Sequence, residues 1–393
     1  MKRNLVIFML LIGALLAYSA DVTITAPSIS ANTVDATFNN NVNSTINPMI
    51  DALATNMQKE LKTQFENFET PLFAAGVANA GVFSSSVAQI LAVQDFKLLQ
   101  VGAGFTVAMQ APSSNPADVD AIAAALQSGG DVLAGIGAQA GAQASLNLGF
   151  LVPNLAVGIR AGALDFSKIA TSMGDSLPEG FSGKTAVFGV IANYRLIKPF
   201  NAFVFQWNGV NVGSGLIYQS LDVSYSPSLA PITQSNSISS DLDSDSTPDS
   251  GTITLTATPS LSLRISSSTL MIPLEVSTGV RLLIFNVSAG MGADLAMGGG
   301  KINIDAESGL ALSGSIYSSA ADSSYQIPST ELSVNDGSVS IKAGTTAKPT
   351  FFNFKVFASP AIVLPFVALE VPLTYYINDG SGFSAGITLS LSL

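Results

Sequence analysis

The chain contains no cysteine and no histidine. The first absence excludes a disulfide scaffold, thiolate nucleophiles and every cysteine-based zinc site. The second removes histidine general bases and all His-containing triads. Catalysis would have to rest on carboxylates, Lys, Tyr or Ser/Lys chemistry, and no stretch is arranged for those. The glycine-bearing segments SGLIYQS and VGAGFTV lack the GK[ST] ending or the strand–GxGxxG–helix context of a phosphate loop. The expectation is a protein that is not an enzyme and has no resident cofactor.

Charge is also scarce. Asp, Glu, Lys and Arg make up 11% of residues, less than half the usual ~25%. Mean hydropathy is nevertheless +0.44. Such apolarity usually means membrane helices, yet after the N-terminus there is no run of about 18 uncharged apolar residues. The nearest, Ala358 to Val371, is broken by Pro360, Pro365 and Glu370. Two classes remain: a large soluble β protein, or a barrel whose apolar residues occupy only one face of each strand. Low charge and 34 glycines favour the barrel.

Lys2 and Arg3 precede an apolar run from Leu5 to Ala17, and Tyr18-Ser19-Ala20 follows. This is the order of a secretory signal peptide, so residues 1–20 are expected to be removed. Losing Lys2 and Arg3 takes the 16 basic residues to 14 against 27 acidic ones, and the net charge from −11 to −13. That balance argues against nucleic-acid binding, which needs a basic footprint.

Residues 21–95 read as a polar lead and a helical segment. Ile46, Ile50, Leu53, Met57, Leu61, Phe65 and Phe68 recur every three or four residues, as one face of a helix. Asn47-Pro48 supplies a cap and a first-turn proline, and Pro71 ends the helix. A second, small and apolar helical segment runs from Leu72 to Leu91. The polar face of the first helix is mixed in sign, which suits a plug or cap better than a membrane surface.

From Phe96 the period becomes two. A short helix from Asn115-Pro116 through Leu126 interrupts it. Apolar residues alternate at 101–109, 146–152, 155–161, 186–194, 272–282, 352–358 and 367–375. The final stretch, GFSAGITLSLSL, alternates down to its last residue, as expected of a strand that pairs with the first and closes a barrel. Links such as VPNL, IKPFNAF, LIFN and SPAIVLPF are short and others are long, the asymmetry of outer-membrane barrels. The reading is all-β: an antiparallel transmembrane β-barrel of about 14 strands over residues 96–393, with an N-terminal helical plug or cap.

The opposite parity carries the rare charges. Arg160, Arg195, Glu275, Arg281, Lys355 and Glu370 stand among Gly, Ala, Ser and Asn, and are expected to face the lumen. Residues 225–251 read as a long polar surface loop. Within it Asp241, Asp243, Asp245 and Asp249 take relative positions 1, 3, 5 and 9 of a calcium loop. Ser246 stands at the turn-glycine position and Thr252 at the closing-glutamate position, so only weak calcium binding is expected. Trp207 and Tyr218 are candidates for an interfacial aromatic girdle.

The helix ending FENFETPLFAAGVANAG, the strand FKLLQVGAGFTVAM and the pair LNLGFLVPNLAVGIRAGAL together resemble spirochaetal outer-membrane β-barrel surface proteins of the leptospiral surface adhesin type. The architecture also resembles fatty-acid-channel-like outer-membrane barrels, with strands following an N-terminal hatch. The first resemblance implies a surface antigen or adhesin in the outer membrane of a diderm bacterium. It implies that the chain meets the bilayer, the barrel-assembly machinery and host extracellular proteins. A passive channel for small or hydrophobic solutes, and a soluble exported β protein, are the alternatives.

Overall fold

The computed structural model describes residues 21–33, 35–65, 71–86, 98–111, 133–166, 168, 180–226, 231–318, 322–378 and 380–392. The expected signal peptide and the short helix at 115–126 lie outside them. The first strands are β1 (Asp21–Thr25), β2 (Ser28–Ala31), β3 (Leu99–Ala111), β4 (Gly135–Asn147), β5 (Leu155–Asp165) and β6 (Phe181–Ile197). Next come β7 (Phe200–Ala202), β8 (Phe205–Tyr225), β9 (Ile232–Ser240), β10 (Asp249–Ala257), β11 (Ser260–Leu282) and β12 (Phe285–Ser318). The rest are β13 (Ser323–Ile327), β14 (Leu332–Asn335), β15 (Gly337–Ala347), β16 (Phe352–Val363), β17 (Val367–Glu370), β18 (Leu373–Asn378) and β19 (Gly380–Ser392). Three α-helices precede β3: α1 (Ala36–Asn41), α2 (Asn47–Phe65) and α3 (Pro71–Ser86).

Strands β3, β4, β5, β6, β8, β11, β12 and β16 pair in turn, each antiparallel to the next. Val371-Pro372 interrupts the next strand, because proline cannot donate to a ladder. Its halves β17 and β18 both lie between β16 and β19. β19 then pairs with β3 from Ser381↔Ala111 to Ser392↔Gln100. The ring therefore closes with ten strands, not about 14. The excess came from segments beyond the ring: β9 and β10 are a separate hairpin, and 302–317 is the far end of β12.

Two of the longest strands carry a change of face. β11 has 23 residues and β12 has 34, and their apolar faces change sides along their length. On β11 the odd positions point inward throughout. They read Leu261, Leu263, Ile265 at one end and Ser267, Thr269, Met271, Pro273, Glu275 further on, all buried. The even, outward positions read Ser262, Arg264, Ser266, Ser268 and then Leu270, Ile272, Leu274, Val276. β12 does the same, with the reversal at Gly298–Gly300. Ile302 and Ile304 are buried beyond it, and Asn286, Ser288 and Asp294 are buried before it.

The reversal falls on one level across four neighbouring strands. Phe188, Tyr218, Leu270 and Met297 stand side by side. One outward step away lie Ala186, Ser220, Ser268 and Gly299, and one more step brings Lys184, Asp222, Ser266 and Lys301. Arg264 bridges to Asp222 on this polar side. The ring thus has an apolar outer wall below one level and a water-compatible head above it.

The head is a conventional core. Buried residues of β10, β11, β12 and β15 form one cluster with Ile50, Leu53, Met57 and Leu61 of α2, which itself packs on β1, β9 and β10. The helical run starts before Asn47. Asp35 caps α1 by accepting from the Thr37 and Phe38 amides at 2.8 and 3.1 Å. The Asn47 side chain is used elsewhere, bonding both main-chain groups of Ile29. A π-helical stretch, Val42–Ile46, precedes Pro48. Its wider turn relieves the clash of the proline ring with the carbonyl four residues back. The expected 225–251 loop is mostly the β9–β10 hairpin, with 241–248 as its connection. Its Ser/Thr alternation is too polar to read as strand without the partner that pairs it.

Candidate functional site

α3 runs inside the ring. It is rich in Ala, Gly and Ser, and residues 76–85 are almost wholly enclosed. The wall beside it is built of glycine because helix backbone comes close. A Cβ added at Gly137 would lie 2.3 Å from the Ala80 carbonyl oxygen, and one at Gly300 would lie 2.1 Å from that of Ala74. No larger residue fits without moving the helix.

Side chains lock the helix at its middle and at its C-terminal end. At its middle, Asn79 accepts from the Thr350 amide at 2.7 Å and donates to the Thr350 hydroxyl. At its finish, Phe83 stacks on Tyr376, centroids 3.8 Å apart. Arg160 Nη1 donates to the Ser85 carbonyl oxygen. Ser85 is the second-last residue of α3, so a cation sits where the helix carbonyls lack partners and the dipole is negative. The Gln139 amide, turned to suit its neighbours, accepts from Arg160 Nη2 at 2.8 Å.

Lys355 is fully buried beside Glu275 and Asp294, with Nζ 2.5 Å and 2.8 Å from their oxygens. Tyr376 donates its hydroxyl to the other oxygen of Asp294 at 3.2 Å. The cluster therefore joins β11, β12, β16 and β18, and through Phe83 it joins the helix. Asp294 was not singled out from the sequence, because Gly290, Gly292, Ala293 and Ala296 around it give no clear alternation.

The other expected lumen residues are spread out. Glu370 is buried and accepts from the Ser359 hydroxyl. Arg195 is half-buried next to a register shift in β6. Arg281 lies at the end with the short turns, where Nε donates to the Leu283 carbonyl at 3.0 Å and Nη2 to that of Val363 at 3.2 Å. Below α3, a small cavity is lined by Gln100, Gly104, Gln143, Ser145, Arg160 and Thr388.

At the head, carboxylate oxygens of Asp241, Asp243 and Asp249 lie within 4.8 Å of one another. Asp245 is not part of this group, and its carboxylate accepts from the Thr247 amide at 2.7 Å. The three are already engaged by the loop. Asp249 accepts from the Leu242 amide, Asp241 from the Asp245 and Ser246 amides, and Asp243 from the Ser318 hydroxyl. Trp207 lies near the short-turn end of β8, donating to Thr278 Oγ1 at 2.9 Å, and Tyr218 lies at the reversal level.

Among solved structures, the chain is similar to the translocator domain of the autotransporter NalP from Neisseria meningitidis. Identity is 9%, coverage 87% of this chain and 97% of that one, and the TM-score 0.28. It is similar to the CymD monoaromatic hydrocarbon channel (7%, 83% and 99%, TM-score 0.23). It is also similar to the Ralstonia pickettii toluene transporter TbuX (9%, 83% and 99%, TM-score 0.22). No curated protein matches the chain. A family model described as Lsa36-like matches residues 17–392. The chain belongs to the Lsa36-like family, of the leptospiral surface adhesin type.

Proposed function

We propose that the protein is an outer-membrane β-barrel that displays its head at the cell surface as an antigen or adhesin. The reversal at Phe188, Tyr218, Leu270 and Met297 carries this reading. Below that level the outer wall is apolar and above it the wall is polar, as a strand crossing from lipid into water requires. From Leu270 to Leu282 the twelve residue steps give about 40 Å of strand at ~3.3 Å each. At a tilt of ~40° that is about 30 Å of height, enough for an apolar band of ~25 Å. The head is at the end opposite the short turns, which in such barrels is the outer side.

Display is favoured over conduction because α3 occupies the lumen with backbone-to-backbone contact against the wall. The contact surface for a host extracellular protein is the head, with the 241–248 tip of the β9–β10 hairpin foremost. Protease treatment of intact cells tests this. Cleavage at 241–248 is expected, and full protection would end the surface-display reading. Asp241, Asp243 and Asp249 are proposed as a weak calcium site within that tip, holding the cation by carboxylate oxygens.

A further inference from the structure

The short-turn end has its own surface chemistry. Four connections meet there: 148–154, 198–204, 283–284 and 364–366. Their only ionisable residue is Lys198. Their tips expose large apolar side chains: Phe150 at 71%, Phe203 at 107%, Leu283 at 64% and Phe366 at 64%. Turns that emerge into water are normally polar, with Asn, Asp, Ser and Gly.

The main chain of these turns is also tied up within the protein. The Arg195 amide donates to Asn154 O, Leu283 to Val204 O, Val363 to Ile284 O and Ser392 to Phe366 O, at 2.7 to 3.2 Å. The connections 198–204 and 283–284 are bonded to each other, and 148–154, 283–284 and 364–366 are each bonded to the end of an adjoining strand. Arg281 reaches the two further carbonyls of Leu283 and Val363. A rim facing water would not need this seam. A rim facing hydrocarbon would, since no water is there to satisfy a free backbone group.

We infer that the short-turn rim does not project into the aqueous compartment. It ends inside the far leaflet, with Phe150, Phe203, Leu283 and Phe366 among lipid acyl chains. The rim is continuous with the apolar outer wall, since Leu282 and Phe285 on that wall flank the Leu283–Ile284 turn. Lys198 has a long enough stem to place its ammonium in the headgroup region. This inference rests on the outer-membrane reading and extends it to one end of the barrel.

The absence of native cysteine allows a direct test. Single variants Phe203→Cys, Leu283→Cys and Phe366→Cys are spin-labelled and reconstituted into phosphatidylcholine vesicles. Val276→Cys in the middle of the apolar wall and Ser262→Cys on the head serve as references. Accessibility is read against oxygen, which enters lipid, and a water-soluble nickel chelate, which does not. The rim labels are expected to match Val276→Cys. Rim labels as open to nickel as Ser262→Cys, with Val276→Cys still in lipid, would overturn the inference and leave the barrel reading intact. Nickel access at Val276→Cys as well would overturn both.

Discussion

Phe83 on α3 lies on Tyr376 of the wall, ring centroids 3.8 Å apart and planes 19° from parallel. Tyr376 in turn donates to Asp294, which bridges to Lys355. The stack links the end of the lumen helix to the buried charges of the wall. A plug that moved freely would not be built into the wall's own ion cluster.

The first prediction concerns the seat of that plug. Gly137→Leu puts side-chain atoms where the Ala80 carbonyl already lies, and backbone cannot yield as a flexible side chain can. The variant is expected to displace α3 while the ring still closes. In planar bilayers the parent should be silent and Gly137→Leu should conduct. Equal silence in both would mean that α3 is not what blocks the lumen.

The second concerns the buried charges. Lys355→Met leaves Glu275 and Asp294 enclosed without their cation, and breaking a buried pair typically costs about 3–5 kcal/mol. The temperature at which the folded band is lost on a gel should fall sharply. Adding Glu275→Leu and Asp294→Leu to the same chain should restore most of it, because no lone charge remains. A triple variant no better than Lys355→Met would show that packing, not charge, holds this part of the wall.

The third concerns the acidic tip. Millimolar calcium is expected to slow proteolysis at 241–248, and Asp249→Asn should abolish that effect. The engaged backbone amides mean that calcium would tighten an ordered loop, not fold a loose one. Unchanged cleavage rates with and without calcium would remove the ion from the account.

Much of this was legible in the chain. The α2 stripe at Ile50, Leu53, Met57 and Leu61 is buried as spaced, and the closing alternation pairs with β3 at Leu391↔Val101. The parity of 272–282 is also the one the residues suggest, with Leu274 outward and Glu275 inward. What stayed hidden was the length of β11 and β12. Each keeps period two through the reversal, but the apolar parity switches at Ser268–Leu270 and at Gly298–Gly300. A pattern search sees two short strands on either side of that switch. Pro273 strengthens the illusion, because proline inside a strand normally marks an edge or an end. The head therefore inflated the strand count. The acidic tip was half legible: spacing found Asp241, Asp243 and Asp249, but only the fold shows Asp245 turned towards Thr247.

The reversal level is the centre of the account, and arginine placement tests it most directly. Leu274 and Ser266 share the outer parity of β11, one below the level and one above it. Arginine on the lipid face near the midplane costs about 2–4 kcal/mol, falling towards zero outside the band. Refolding into lipid vesicles, followed by gel mobility without boiling, is therefore expected to be unchanged for Ser266→Arg and strongly reduced for Leu274→Arg. Equal tolerance at both positions would mean that the outer wall below Phe188, Tyr218, Leu270 and Met297 does not face lipid.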